Sequence, residues 1–194
     1  MRSLLLSLVT LLTVSFVSAQ TVLKPTAGLN FTDWSKDEGG TVKSKTGWQI
    51  GLSAEIGKKI YFEPGLYYVG KKTEVSVIDQ ETELNFDADV NGIRVPLAVG
   101  IRLLGDQKTA VQLRGFGGVS GFFITSVGDE LDEDAIEKTN WGLFAGAGVD
   151  IWKIFIDLSY EWSLTNVQKD VEAIDVGKAR SLYIQAGLRL NIGK

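Results

Sequence analysis

Asp157 and Glu161 are the carboxylates whose type and spacing first suggest chemistry, because two acids on one face can divide general-acid and general-base work. They sit in IFIDLSYEWSL, Ile154 to Leu164. There Ile154, Ile156, Leu158, Tyr160, Trp162 and Leu164 form one alternating set, and Phe155, Asp157, Ser159, Glu161 and Ser163 the other. In a strand this puts both acids on one face, about 13 Å apart at roughly 3.3 Å per residue, too far to share a proton. Histidine and cysteine are both absent. Ser-His, Asp-His and thiolate constellations therefore have no members, and no catalytic residue, cofactor site or metal site is expected. The role expected of the two acids is that of counterions to arginines on the same face.

Two other groups have a chemical reading. Asp129-Glu130-Leu131-Asp132-Glu133-Asp134 concentrates acids that could meet a hard cation, but the glycine and closing glutamate of an EF-hand loop are missing, so a solvated acidic loop is expected. Trp34, beside Asp33 and Lys36, could touch a glycan or a protein; packing against a rim is the expected alternative.

Eight strands would position these groups: about Val22 to Phe31, Gly47 to Ile56, Ile60 to Val69, Ile93 to Leu103, Ala110 to Ser120, Asn140 to Trp152, Ile154 to Leu164 and Ala179 to Ile192. Tight connections (Gly57-Lys58-Lys59, Gly105 to Lys108, the Trp152-Lys153 corner) alternate with long ones (Thr32 to Thr46, Gly70 to Gly92, Gly121 to Thr139, Thr165 to Lys178). Short turns on one side and long loops on the other predict an all-β, eight-stranded antiparallel up-and-down transmembrane barrel, with short periplasmic turns and long extracellular loops. The third long connection is expected to begin as a strand extension through Phe122, Phe123 and Ile124. Glu74 to Ile78 and Glu83 to Val90 are expected to pair as a projecting hairpin that turns near Asp79-Gln80-Glu81. Pro64 and Pro96 interrupt predicted strands, and bulges are expected there.

Alternation alone does not say which face is inside, since a soluble lipocalin-like carrier alternates with its apolar side inward. The cations decide. The lysines, Lys58, Lys59, Lys71, Lys72, Lys108 and Lys153 among them, read as turn, loop or strand-end residues, whereas strand interiors use Arg94, Arg102, Arg114 and Arg189. A narrow lumen favours arginine, whose planar fork satisfies several acceptors at once. Glu55, Glu63, Asp150, Asp157 and Glu161 share the predicted inner face, giving a polar core that fills the barrel and leaves no aqueous channel. A one-residue slip would turn the arginines to lipid at about 2–4 kcal/mol each, so the register is strongly fixed. The opposite parity is lipophilic, and Trp48, Tyr68, Trp141 and Trp162 fall near the long-loop ends as an expected outer aromatic girdle.

Met1-Arg2-Ser3, the apolar run Leu4 to Val17 and the small residues through Ala19 have the pattern of a cleaved secretory signal peptide, with residues 20–194 as the single barrel domain. Removing the first 19 of 194 residues leaves 175, and loss of Arg2 takes the formal charge from −4 to −5. This mild acidity argues against nucleic acid as a partner. Twenty-two glycines against three prolines suit a strand-rich domain.

Gly28-Leu29-Asn30, Phe62-Glu63-Pro64-Gly65-Leu66-Tyr67-Tyr68, Arg94-Val95-Pro96-Leu97 and Ala186-Gly187-Leu188-Arg189-Leu190 resemble the PorT-like family of small outer-membrane β-barrels from Bacteroidota. The resemblance implies an eight-stranded barrel and, for one branch, association with type IX secretion. The last strand also resembles the signal read by the outer-membrane insertion machinery, though it ends Gly193-Lys194 where an aromatic residue is usual.

The function expected is that of a non-enzymatic barrel in the bacterial outer membrane whose loops serve binding or envelope organisation. Its expected partners are outer-membrane lipid, the insertion machinery during assembly and an extracellular or envelope protein. The alternatives are an accessory role in a secretion system and a soluble extracytoplasmic carrier.

Overall fold

The computed structural model describes residues 20–36, 42–44, 46–79, 82–105, 109–127, 139–164 and 176–192. The expected signal segment and the acidic loop 129–134 lie outside these residues.

Period-two alternation becomes strand throughout. The elements are β1 (Thr21–Lys36), β2 (Val42–Ser44), β3 (Thr46–Gly57), β4 (Ile60–Asp79), β5 (Thr82–Leu104), β6 (Val111–Val127), β7 (Thr139–Ile151), β8 (Ile154–Ser163), β9 (Val176–Leu188) and β10 (Leu190–Asn191). They form eight staves: β2 lies against β4 beyond β3, and β10 carries on the β9 register along β1, from Thr26 opposite Gly187 to Leu23 opposite Leu190. Each long strand pairs antiparallel with its sequence neighbours, and β1 pairs with β9. The sheet therefore closes on itself as an up-and-down barrel, which removes the edges that an open sheet would present.

Strands overrun the expected boundaries at the long-connection end. β4 and β5 stay paired as far as Asp79 opposite Thr82, and β6 passes Phe122, Phe123 and Ile124 to reach Val127. Both extensions were expected, the hairpin and the β6 continuation alike. From Tyr68, β4 runs 11 further residues, about 36 Å of strand at roughly 3.3 Å each.

The prolines behave otherwise than expected. Register passes Pro64 and Pro96 without a bulge; the shifts on β5 occur at Asn91/Gly92 and Arg102/Leu104. Pro25, Pro64 and Pro96 each keep a partner on one side, Leu52, Leu97 and Ser120 respectively. Each falls in a short gap of the ladder on the other side, because a residue without an N–H bonds to only one neighbour, and a gap in one ladder satisfies that without shifting the strand.

The β7–β8 turn contains only Trp152 and Lys153 between the paired Ile151 and Ile154. Trp152 adopts φ 56°, a left-handed conformation that costs a bulky residue about 1–2 kcal/mol. Trp152→Gly is accordingly expected to stabilise the barrel in detergent by about 1 kcal/mol, read as a higher urea midpoint; an unchanged or lower midpoint would mean that the indole makes compensating contacts.

Candidate functional site

Inward positions of all eight staves meet in a charged lumen. Glu55, Glu63, Arg94, Arg102, Arg114, Asp150, Asp157, Glu161 and Arg189 are all buried there. Arg114, on β6, is the hub. Its Nε donates to Asp150 Oδ1 and Oδ2 at 2.9 and 3.0 Å, its Nη2 to Asp157 Oδ1 at 2.6 Å, and its Nη1 to the Tyr61 hydroxyl at 3.1 Å. Arg189 holds Asp150 Oδ2 at 3.0 Å and Glu55 Oε1 at 3.3 Å, and Arg102 pairs with Glu55 while donating to Gln112 at 3.1 Å. Nearer the long-connection end, Arg94 donates twice to Glu161 Oε2, at 2.6 and 2.8 Å, and Ser120 donates to the same oxygen at 2.7 Å. Asp157 and Glu161 thus serve different arginines and do not act as a pair.

Lys24 corrects the expected segregation of lysine from the barrel interior. It is fully buried on β1, with Nζ 2.8 Å from Glu63 Oε1 and 3.3 Å from Asp157 Oδ2 and lying 4.2 Å above the Phe155 ring. The signal was present in the parity: Val22, Lys24, Thr26 and Asn30 alternate with Leu23, Pro25, Ala27 and Leu29, so Lys24 had to face inward. Lys71 is likewise buried at the other end of the lumen. Tyr61, Gln112, Ser53 and Gln185 also join the network, and sequence reasoning assigned Tyr61 and Ser53 no role in it.

Small residues make this density possible. A Cβ on Gly148 would collide with Asp157 Oδ1 beside Arg114, and one on Gly100 would enter the Tyr61 ring. Gly100→Val should push Tyr61 off Arg114 and lower the unfolding free energy by about 1–3 kcal/mol, as overpacking does, while Tyr61→Phe in the same background tests whether the lost hydroxyl contact adds to that. A cavity of about 30 Å³ lies among Ser53, Glu63, Arg94, Asp157, Ser159 and Gln185. It has room for a water or two and does not amount to a channel. A soluble carrier with an apolar interior does not fit this lumen.

The opposite parity faces outward and is apolar from Leu52 and Val99 through Leu158 to Ile184. Trp48, Tyr68, Trp141 and Trp162 all lie on it, between 41% and 49% exposed. The Trp48 and Tyr68 rings meet at 5.6 Å, and Trp141 stands edge-on to Phe123 at 6.3 Å. A closed barrel with apolar outside, charged inside and aromatics toward one end suits a lipid bilayer.

Residues 4–192 match the family model of the outer membrane protein beta-barrel domain. The chain belongs to that family. It is an outer-membrane barrel, and solved barrels share its fold. OprG from Pseudomonas aeruginosa is similar at 14% identity and a TM-score of 0.56, covering 93% of this chain and 99% of OprG. Neisserial surface protein A is similar at 13% identity and a TM-score of 0.51, covering 89% of this chain and 97% of that one. At these identities the likeness is one of fold. No curated protein sequence matches this barrel significantly.

Proposed function

We propose that this barrel is a non-enzymatic outer-membrane protein that holds its long connections outside the cell for binding or envelope organisation. The observation that carries the reading is the β4–β5 hairpin, paired to Asp79 and Thr82, far past the aromatic ring at Tyr68. Extending paired strands that far is costly in ordered backbone, and it builds a stiff support for a surface contact. The lumen supports the same reading, since its acids are occupied by cations and the cavity beside Glu63 and Asp157 is too small for a substrate. The PorT-like resemblance, its Bacteroidota source and a place beside a secretion machine belong to the proposal on the strength of the short motifs quoted above.

Photoreactive residues placed at Trp34 and Thr82 in intact cells test this. A discrete crosslinked envelope or extracellular protein, lost when the label is moved to the turn at Lys58, is the expected result. Labels that capture only lipid at both positions, in a strain whose envelope is unchanged by deletion of the barrel, would overturn it.

A further inference from the structure

We propose that the long-connection mouth of the lumen holds an oxyanion-binding site centred on Lys71, with the Ser181 and Thr32 hydroxyls beside it. The ligand class is a phosphate or carboxylate group approaching from outside. The site stands apart from the proposed role of the loops, because it is built on barrel strands alone.

The argument starts from charge. Among the described residues the buried cations are Lys24, Lys71, Arg94, Arg102, Arg114 and Arg189, and the buried acids are Glu55, Glu63, Asp150, Asp157 and Glu161. Every one of these cations except Lys71 has a carboxylate oxygen within 4.0 Å. Lys71 is the surplus charge of an otherwise balanced lumen. It is 9% exposed, and among the described residues its Nζ has one side-chain hydrogen-bond partner, the Ser181 Oγ at 3.5 Å, together with the Phe122 ring at 4.6 Å. Glu161, opposite Ser181 in the β8–β9 ladder, is within electrostatic reach of Lys71 but more than 4.0 Å away, and its Oε2 is taken by Arg94 and Ser120. An ammonium buried to this extent is costly unless paired, and an aromatic face offsets only part of that cost.

The surroundings supply the rest of a site. Ser181 Oγ lies 3.0 Å from Thr32 Oγ1; one hydroxyl donates to the other, leaving a second proton for an anion. Phe122, whose ring lies against Lys71, packs with Tyr67, Val69 and Tyr183 in a buried apolar cluster. An ammonium and a spare hydroxyl proton beside an aromatic ring match an oxyanion, for which the low dielectric strengthens each charge-assisted bond.

Two sources present such a group: free phosphate, and the phosphates of an outer-leaflet glycolipid such as lipid A. The test uses the folded full barrel in maltoside micelles titrated with sodium phosphate against sodium chloride of equal ionic strength. In parallel it uses phosphatidylcholine vesicles with or without lipid A. The readout is the heat-unfolding midpoint. A saturable rise with either source is expected, and the source that produces it names the ligand. Lys71→Met should weaken apparent affinity by about tenfold or more, the loss of one charge-assisted bond, and Lys71→Arg should retain binding. Ser181→Ala, which leaves the charge untouched, should weaken it severalfold and keeps the idea testable if Lys71→Met fails to fold. No saturable rise with either source, or unchanged affinity in Ser181→Ala or in a folded Lys71→Met, would overturn the site.

Discussion

Arg114→Ala is expected to lower the unfolding free energy of the barrel by about 3–5 kcal/mol, the range for removing one partner of a buried ion pair. Arg114 is fully buried and bonds to Asp150, Asp157 and Tyr61 at once. Alanine would leave Asp150 to Arg189 and Asp157 to Lys24, so neither acid is orphaned, but each loses its shortest cationic contact. It also leaves the ion-paired network, from which Lys71 stands apart at the mouth, with five acids against four cations. Urea titration in vesicles, followed by the shift in gel mobility on heating, measures the loss. Arg114→Lys should fall between the two, since an ammonium keeps the charge but lacks the fork that reaches three partners. Adding Asp157→Asn to Arg114→Ala should restore part of the loss, and that coupling is what distinguishes a network from a packing effect. An Arg114→Ala barrel with an unchanged midpoint would mean that water screens the lumen, and the description of a filled polar core would fall.

How much of this was legible in the residues depends on where polarity alternates with one meaning. Between the turns and the aromatic ring the outward parity is apolar and the charges lie on the inward one, so the eight staves and their inward arginines and acids could be placed from parity alone. Beyond the ring the pattern changes. Along β4 the parity of Phe62, Leu66 and Tyr68 goes on to Lys72, Glu74 and Ser76, and the β4–β5 register sets Val75 opposite Phe86 and Val77 opposite Leu84. Glu74 stands opposite Asp87 on the alternate set. A chain leaving lipid for water must show its polar face outward, so a strand that crosses the interface looks aperiodic there. For that reason the stretch from Gly70 to Gly92 reads first as a loop.

The lumen was legible by residue class but not by partner. Parity placed Glu63 and Asp157 inside, yet only closure of the barrel brings β1, β4 and β8 close enough for Lys24 to touch both. Lys24 was misjudged because a lysine near a strand start resembles a turn residue. Its neighbours in the alternation, Val22 and Thr26, outweigh that position once β10 is seen to continue β9 along β1. The prolines were misread for a related reason: a strand has two ladders, and a gap in one is cheaper than a bulge that would disturb both.

Leu158→Arg is expected to destabilise the barrel by about 2–4 kcal/mol in a bilayer, the cost of placing arginine on the lipid face near the midplane. Leu158 is half exposed at the middle of β8, set between Ala147 on β7 and Ile184 on β9, both outward. Its neighbour Asp157 points the other way into the network, so the same substitution one residue along would meet Lys24 and Arg114 instead. The effect should shrink towards the girdle: Trp162→Arg should cost no more than about 1 kcal/mol of bilayer insertion, because arginine there reaches the headgroups. A depth-dependent cost on even positions of β8 is what lipid contact requires. Spin labels at Leu158 and at Asp157 read the same point directly, with lipid-phase quenching confined to Leu158. Equal tolerance of arginine at Leu158 and Trp162 would place the apolar parity away from lipid, and the outward face would then need a protein partner to cover it.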